Sequence, residues 1–324
     1  MGLRYLARRV AAALLTILFI ILLNFVLFRM MPGSPERILG RNPNVTPEIL
    51  AAKRAQWGLD KPVIPDQFVA YVSSTAQGDL GFSFVARGRT VVEVLGQRLG
   101  PTLLLFGLGE VIAILVGLGL GAYSGWKRGG PIDHIGNAVS LLLYSTPYFL
   151  LGMALLLIFA TGLGWFPTFG MLSAGATYAT PLDRLADLGR HLVLPVATVA
   201  LGLIGQYAIV MRSSIVETLS EDYVTTARAK GLRDDQVLRR HALPNAMLPT
   251  VTLVAINLGY VVAGAITVEV VFNWPGLGTL TVEALSARDY PVLQGIFLLL
   301  SVSVVLANLA ADLLYGTLDP RVRT

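Results

Sequence analysis

Residues 10–28 read VAAALLTILFIILLNFVLF, a run without a charged side chain. A helix needs about 20 apolar residues to cross the hydrocarbon core of a bilayer. Arg8 and Arg9 precede the run, as in a secretory leader, but RMMP (29–32) follows it where a leader would carry small residues for cleavage. The run is therefore predicted to be a retained membrane-spanning helix.

Five further apolar stretches of spanning length follow this first one. The whole chain of 324 residues is 54% hydrophobic and 14% charged, with a mean hydropathy of +0.67. That leaves too few polar side chains to coat a soluble protein of this size. We therefore predict an all-α integral membrane protein with six transmembrane helices. The five later spans are predicted at residues 101–124, 138–159, 191–211, 249–272 and 292–315.

The composition also excludes several classes of site. The chain has no cysteine, so neither a disulfide framework nor a thiolate metal site is available. A net charge of +5 would suit nucleic acid. In a membrane protein, however, basic residues usually mark cytoplasmic loops that face anionic headgroups. We expect contact with membrane lipid and no nucleic-acid partner.

Six spans place both termini on the same side of the membrane, and the basic residues decide which side. The termini and the second and fourth connections are rich in lysine and arginine. The opposite connections carry few basic residues near their helix ends, namely Arg184, Arg190 and Arg288. By the positive-inside rule, both termini are predicted to be cytoplasmic, in a multi-pass protein of the cytoplasmic (inner) membrane. The basic residues on the predicted cytoplasmic side are Arg4, Arg8, Arg9, Lys127, Arg128, Arg212, Arg228, Lys230, Arg233, Arg239, Arg240, Arg321 and Arg323.

The chain divides into three parts by this pattern. Residues 1–31 form the cytoplasmic N-tail and first helix, 32–100 an extracytoplasmic loop domain, and 101–324 a core of helices 2–6. Thr46-Pro47-Glu48 predicts a helix start in the loop, and Gly78-Asp79 a turn. A loop this long is rarely a mere linker. Two interpretations stay open for it: an inert cap on the bundle, or a contact surface for a partner.

The ionisable residues bear on the energy source of any transport. A P-loop requires Gly-Lys, a dipeptide that the chain lacks, so it is not the usual kind of ATPase. An ion-coupled carrier would hold several ionisable groups at bilayer depth, and Glu110 is the clear candidate. It lines a substrate path or hydrogen-bonds to a neighbouring helix. Other ionisable groups lie nearer helix ends, where snorkelling or interface contacts account for them: Arg29, His191, Glu269 and Asp312.

Small residues and prolines within the spans predict how the helices pack. Gly117 and Gly121 are four residues apart on one helix, as are Gly259 and Ala263, which favours close backbone approach as a packing feature. Pro147 and Pro195 lie inside apolar stretches and are predicted to kink their helices.

The connection at residues 214–248 is longer than a turn between two spans requires. Ser220-Glu221-Asp222 offers a helix start, and residues 227–230, ARAK, are good helix formers that end at Gly231. Asp234 or Asp235 then begins a second helical segment, which Pro244 is predicted to interrupt. The prediction is a helix, a glycine turn and a second helix that project from the bundle.

This connection resembles the coupling loop of binding-protein-dependent ABC importers. Their pattern runs Glu-Ala-Ala, three residues, Gly, nine residues, Ile, one residue and Leu-Pro. Here Gly231, His241, Leu243 and Pro244 keep that spacing. The words EDYV (221–224) and TARAKGL (226–232) resemble the dipeptide and oligopeptide permease branch. Similar words occur along the chain: YLARR (5–9), PGSP (32–35), GLDKP (58–62), GDLG (78–81), STP (145–147), PGLG (275–278), DYPV (289–292) and LDPR (318–321).

The resemblance is not complete. Thr225 and Thr226 stand where the general pattern has Glu and Ala, His241 replaces Ile, and Ser34 replaces the usual Asp. A mechanism that needs a carboxylate at position 225 is therefore not expected.

The resemblance implies a type I ABC importer permease fold and the role of the first permease of a pair. It implies a second homologous permease, two ATPase subunits that bind ATP and Mg²⁺, and an extracytoplasmic binding protein. This chain would be a transport subunit without catalytic residues or a cofactor of its own. The residues that the resemblance assigns to the ATPase-coupling loop are Asp222, Tyr223, Thr225, Thr226, Ala227, Lys230, Gly231, Leu232, His241, Leu243 and Pro244.

The cargo implied by the branch is a short peptide. Importers of glutathione, nickel complexes and some sugars resemble the same branch, so an ABC permease for one of these is the alternative. An ion-coupled secondary carrier and a membrane scaffold or receptor without transport are the hypotheses from other classes.

The charge pattern makes a topological prediction. A reporter enzyme that works only in the cytoplasm should be active when fused after Thr324 and inactive when inserted near Asn44. A reporter that works only outside should give the reverse result. Paired cytoplasmic and external reporters at both positions provide the measurement. Opposite results at both positions would overturn the predicted orientation.

Overall fold

The computed structural model describes residues 3–30, 62–86, 88–263 and 266–318, and within these ranges it is almost entirely helical. A single isolated β-bridge joins Phe82 and Thr90 there. Three π-helical turns adjoin the α-helices, at Val63–Gln67, Leu156–Gly162 and Leu238–Ala242. The α-helices are α1 Leu3–Met30, α2 Phe68–Ala76, α3 Val91–Trp126, α4 Pro131–Ser145, α5 Tyr148–Leu155, α6 Pro181–Leu219, α7 Asp222–Ala229, α8 Asp234–Val237, α9 Leu243–Ala263, α10 Ile266–Val271, α11 Leu277–Ala287 and α12 Tyr290–Leu318.

Five of the described helical segments are long and apolar enough to cross a membrane. They are α1, α3, α6, the continuous stretch Asp234–Gly259, and α12. A sixth arises if α4 and α5 count as one span, but these two helices meet at an angle of 102°. The prediction of an all-α membrane bundle is thus confirmed, and the predicted number of six spans is reached if the bent pair α4–α5 counts as one.

Proline chemistry explains the break between α4 and α5. Thr146 has extended backbone angles, φ −85° and ψ 123°, because a residue before proline is disfavoured in the helical region. Pro147 then begins the next helix without an N–H of its own. The predicted kink at Pro147 is therefore a complete break. Pro195, by contrast, lies inside α6, which continues through it.

Glycines on α3 allow α6 to approach closely along its length. A Cβ on Gly117 would lie 2.7 Å from the Tyr207 Cβ, and one on Gly121 would lie 2.8 Å from the Met211 Cβ. Real Cβ atoms do not approach so closely, so both positions require glycine. A Cβ on Gly259 would likewise meet Ala307 of α12 at 2.6 Å. The predicted packing role of Gly117, Gly121 and Gly259 is confirmed.

Glu269 is fully buried, which corrects its interpretation as a residue near a helix end that interface contacts explain. Its carboxylate accepts hydrogen bonds from the Thr102 hydroxyl at 2.7 Å and from the backbone N–H of Gly278 at 2.7 Å and Thr279 at 3.1 Å. These N–H groups open α11, so Glu269 caps that helix from α10. Gly276 has no side chain because a Cβ there would overlap the Glu269 carboxylate.

A second carboxylate fastens the segment before α3 to the segment before α12. Asp289 is buried and accepts hydrogen bonds from the Ser83 hydroxyl and from the backbone N–H of Phe84 at 3.1 Å and Val85 at 3.2 Å. The residues that follow Gly81 are therefore held in a defined position at this end of the bundle.

Much of the predicted outer loop lies outside the described residues, including Asn44 and the helix start at Thr46-Pro47-Glu48. The C-terminal word LDPR (318–321) also lies outside them, apart from Leu318. The second span begins at Val91, so its first ten residues fall within the range 32–100 assigned to the outer loop.

The glycine contact between α3 and α6 predicts the outcome of a matched pair of substitutions. Gly121→Ala should lower the thermal midpoint of the detergent-solubilised protein, because the methyl group would overlap the α6 backbone and overpacking costs about 1–3 kcal/mol. Gly119→Ala, two residues away with open space around its Cα, should leave the midpoint unchanged or raise it. Equal midpoints for the two variants would show that close packing does not limit stability here.

Candidate functional site

The segment at residues 220–242, called here the connecting segment, joins α6 to α9 and folds back against the end of the bundle. Its first helix, α7, buries Val224 and Ala227, which are 0% and 5% exposed. These two side chains form a small core with Val237, and Trp126 and Leu219 at the ends of α3 and α6 pack against it. The segment is thus seated on two spans rather than hanging free from them.

A glycine turn ends α7 and sets the angle to the next helix. Gly231 has φ +79°, in the left-handed region that favours glycine. The Gly231 N–H donates to the Arg228 carbonyl at 2.9 Å, and the Leu232 N–H donates to the Ala227 carbonyl at 3.4 Å. This pair of bonds is a Schellman motif, and Leu232 packs against the core of α7 as that motif favours. The predicted helix and left-handed stop are confirmed.

The second half of the segment runs into the fifth span without a break, so the predicted interruption at Pro244 is wrong. α8 passes through the π-helical turn Leu238–Ala242 and continues as α9 from Leu243. The π-turn changes the local hydrogen-bond register, and Pro244 is only the second residue of α9. The Asn245 amide donates to the His241 carbonyl at 2.8 Å beside it. The connecting segment and α9 therefore form one continuous helical unit.

The outer face of the connecting segment is polar and exposed. Tyr223 keeps 40% of its surface accessible. Partial burial raises the pKa of the Tyr223 hydroxyl and the nearby Glu221 carboxylate adds to the shift, so the group remains a neutral hydrogen-bond donor. The predicted coupling residues with exposed positions are Asp222, Tyr223, Thr225, Thr226, Lys230, Gly231 and Pro244.

Four of the predicted coupling residues lie away from this face. Ala227 is buried in the core of α7, and Leu232, His241 and Leu243 are half-buried. Leu243 packs against a cluster that contains Met211 of α6. Ala227, Leu232 and Leu243 pack the segment against the bundle, while the exposed residues face outward.

Charges on the exposed face are paired only loosely. The Arg228 guanidinium lies 4.0 Å from the Asp234 carboxylate and 5.9 Å from the centre of the Trp126 ring. Arg233 lies 3.3 Å from Asp235. Exposed pairs of this kind contribute little to stability. The charges therefore stay available to a partner surface.

A part-buried ion pair between α4 and α6 has no counterpart among the sequence predictions. The Arg212 guanidinium on α6 binds the Asp133 carboxylate on α4 through two hydrogen bonds, at 2.5 and 2.8 Å. The Gly129 N–H donates to the same carboxylate at 3.0 Å. The pair ties the turn between α3 and α4 to the base of α6. Its only sequence signal is an aspartate at the start of an apolar stretch, 79 residues before its partner.

Glu110 lies in the interior of the bundle, 2% exposed. It accepts a hydrogen bond from the Tyr207 hydroxyl of α6, and the Asn257 amide of α9 donates to that hydroxyl at 3.0 Å. The same amide reaches Gln206 at 3.3 Å. The network joins α3, α6 and α9, as expected for the interpretation in which Glu110 hydrogen-bonds to neighbouring helices.

Two family models together match nearly the whole chain. The model described as "Binding-protein-dependent transport system inner membrane component" matches residues 117–324. The model for the N-terminal part of such membrane components matches residues 2–105.

Individual relatives are similar over the full length. A putative peptide permease protein of Brucella suis biovar 1 (strain 1330) is 40% identical over 322 residues, which covers 99% of each chain. A glutathione transport system permease protein of Salmonella choleraesuis (strain SC-B67) is 38% identical with the same coverage. Among solved structures, an inward-facing MetNI methionine ABC transporter chain superposes with a TM-score of 0.56 at 17% identity, covering 70% of this chain and 97% of that one. The last likeness concerns the fold alone.

The Asp133–Arg212 pair predicts a stability difference between two arginines. Arg212→Ala leaves a buried carboxylate without its cation, a loss we place on the order of 1–3 kcal/mol because the guanidinium is about a quarter exposed. Arg228→Ala removes only an exposed charge and should cost under about 1 kcal/mol. Thermal midpoints in detergent measure both. An Arg212→Ala midpoint no lower than that of Arg228→Ala would contradict the prediction. The double variant Asp133→Asn/Arg212→Ala should lose less stability than the sum of the losses of its two single variants.

Proposed function

Because the chain belongs to the family of binding-protein-dependent transport system inner membrane components, we propose that its connecting segment receives the motion of partner ATPases and that its cargo is a short peptide. The chain is a permease subunit of an ABC importer, with the type I importer permease fold. It is a transport component and not an enzyme, since ATP is hydrolysed in partner subunits.

One observation carries the coupling proposal: the connecting segment is exposed on one face and firmly packed on the other. Val224, Ala227 and Val237 join it to the ends of α3 and α6, and its second half continues into α9. A push on the exposed face therefore reaches three spans at once. Motion of this kind would tilt the spans between inward-open and outward-open states, with the segment acting as a rigid lever.

We also propose how this chain assembles with its partners. We place the connecting segment and both termini in the cytoplasm, where two ATPase subunits would bind ATP and Mg²⁺. A second homologous permease would share the translocation path with this chain. The binding protein would dock at the opposite end, near the segment that Asp289 holds beside Gly81, so that part of the outer loop serves as a contact surface.

The peptide cargo rests on the relatives. One is named as a peptide permease and another as a glutathione permease, and glutathione is itself a tripeptide derivative. Nickel complexes and sugars have no comparable support here. An ion-coupled carrier is less favoured, because Glu110 is buried and accepts a hydrogen bond from Tyr207 inside the bundle.

Uptake into vesicles tests these proposals together. The chain would be reconstituted with its genomic neighbours and offered labelled dipeptides, tripeptides, glutathione, a nickel chelate or a sugar, with either ATP or an ion gradient. We expect ATP-dependent uptake of a peptide. Uptake on the ion gradient alone would identify a secondary carrier, and an absence of flux would identify a scaffold or receptor. The ligand that co-purifies with the binding protein would identify the cargo directly.

The glycine turn predicts where coupling fails. Gly231→Val should assemble and insert normally but lose uptake and substrate-stimulated ATP hydrolysis, because a β-branched residue is strained at φ +79° and the turn must reorient. Gly231→Asn should retain most activity, since asparagine tolerates left-handed angles better. The strain-matched control is Gly175→Val, at φ +72° with open space around it and outside the connecting segment. Coupling at the parental level in an assembled Gly231→Val complex would show that the segment is not the lever.

A further inference from the structure

The helix α4 presents three distinct faces. Successive residues turn by about 100° around a helix, so residues three, four and seven apart share a face. The buried face carries Asp133, Gly136 and Ser140. The two other faces are both exposed on the surface of this chain, yet they differ in chemistry.

One exposed face is apolar throughout. Its residues recur at helical spacing and are 44–66% exposed: Ile132, Ile135, Val139 and Leu142. Aliphatic side chains in such a stripe are those expected against lipid tails.

The other exposed face, called here the polar face, carries four polar residues around one exposed leucine, Leu141, which is 57% exposed. His134 and Asn137 lie on it, followed by Tyr144 and Ser145 at the end of the helix. Tyr144 is 57% exposed. An exposed polar stripe along an intramembrane helix is costly against lipid and indicates contact with water or another protein.

The polar face ends at the break between α4 and α5, where backbone groups are left unpaired. Within the described part of the chain, no hydrogen bond reaches the carbonyl oxygens of Tyr144, Ser145 or Thr146. At the start of α5, the N–H groups of Tyr148 and Phe149 find no acceptor there either, and Pro147 supplies no side-chain cap. The hydroxyls of Ser145 and Thr146 do not help, because both donate back to the Leu142 carbonyl.

Along the helix axis, the break lies level with the middle of α6 and not with its ends. A Cβ on Gly205 of α6 would meet the Tyr144 amide nitrogen at 2.7 Å, and one on Gly202 would overlap the Tyr148 ring. Gly202 and Gly205 are central in the apolar stretch 191–211, and Gly205 lies two residues before Tyr207, the partner of Glu110. Irregular backbone at this depth is tolerated only where it is covered by protein or lines a water-filled cavity.

We propose that the polar face of α4 and the break after it line the water-filled translocation path, while the apolar face of the same helix meets lipid. The inference rests on the proposed function, since a path presupposes transport. The unpaired carbonyl and N–H groups at the break require partners that adapt, and water satisfies both kinds. So do the amide groups of a passing peptide-class solute. The other permease, packed tightly over the break, is the competing occupant that the experiment must separate.

Thiol labelling tests the proposal directly, because the native chain has no cysteine to interfere. Asn137→Cys and Ser145→Cys place thiols on the polar face, and Val139→Cys, which lies between them along the helix, places one on the apolar face. Each variant of the assembled complex in vesicles is treated, from either side, with a charged methanethiosulfonate or a lipid-soluble maleimide. Modification of this chain is read by mass spectrometry.

The charged reagent should modify Ser145→Cys and Asn137→Cys at least tenfold faster than Val139→Cys, because the reactive thiolate forms in water and not in lipid. Equal rates at the three positions would overturn the proposal. So would exclusive reaction of Ser145→Cys with the lipid-soluble reagent, which indicates lipid, or no reaction with either, which indicates burial against the second permease.

Uptake by the same complexes distinguishes a failure of the lining proposal from a failure of the proposed transport function. ATP-driven uptake with an unreactive Ser145→Cys would overturn the lining proposal and leave the proposed function standing. Rapid labelling of Ser145→Cys without ATP-driven uptake in the parent complex would overturn the proposed function instead, while still placing the break in water.

Discussion

The rule that no backbone N–H or C=O group stays unpaired in hydrocarbon governs this structure. Long helices satisfy it for most of the chain, and the exceptions are where the specific features lie. The start of α11 is buried, and its N–H groups find acceptors: the Leu277 N–H donates to the Thr102 hydroxyl and the Gly278 N–H to the Glu269 carboxylate. The Thr102 hydroxyl in turn donates to Glu269. Nearby, the Trp274 indole donates to the Pro101 carbonyl at 2.9 Å. The break after α4 has no such partner within the described chain, so its hydrogen bonds must come from water or from another molecule.

The contact between α3 and α6 organises the bundle around these exceptions. Glycines on α3 bring the two backbones together, and the polar links of the interior lie along α6. Tyr207 binds Glu110 at the middle of α6, and Arg212 binds Asp133 nearer its end. Leu219, the last residue of α6, joins the small core under α7. A displacement of the connecting segment is therefore applied to the helix that carries both polar links.

Several sequence words that resemble those of peptide permeases have an identifiable structural role here. Gly276 and Gly278 leave room for the Glu269 carboxylate, so PGLG (275–278) forms a capped helix start. Asp289 of DYPV (289–292) holds the backbone after Gly81, which belongs to GDLG (78–81). The STP word (145–147) produces the break between α4 and α5. The first three of these four words shape the packing, and the fourth breaks a span.

The sequence alone determined the features that depend on neighbouring residues. Runs of apolar residues located the spans, because a helix in lipid must be apolar over its whole length. Gly231 after ARAK (227–230) marked a helix stop, because only the local backbone decides whether a left-handed residue is needed. The tertiary structure decided everything that joins distant positions. Thr102 and Glu269 are 167 residues apart, Asp133 and Arg212 are 79 apart, and Ser83 and Asp289 are 206 apart. The residues next to a carboxylate in the sequence do not identify its hydrogen-bond or ion-pair partner. Whether it is a buried cap, an ion pair or a lining residue therefore depends on which helices fold against it.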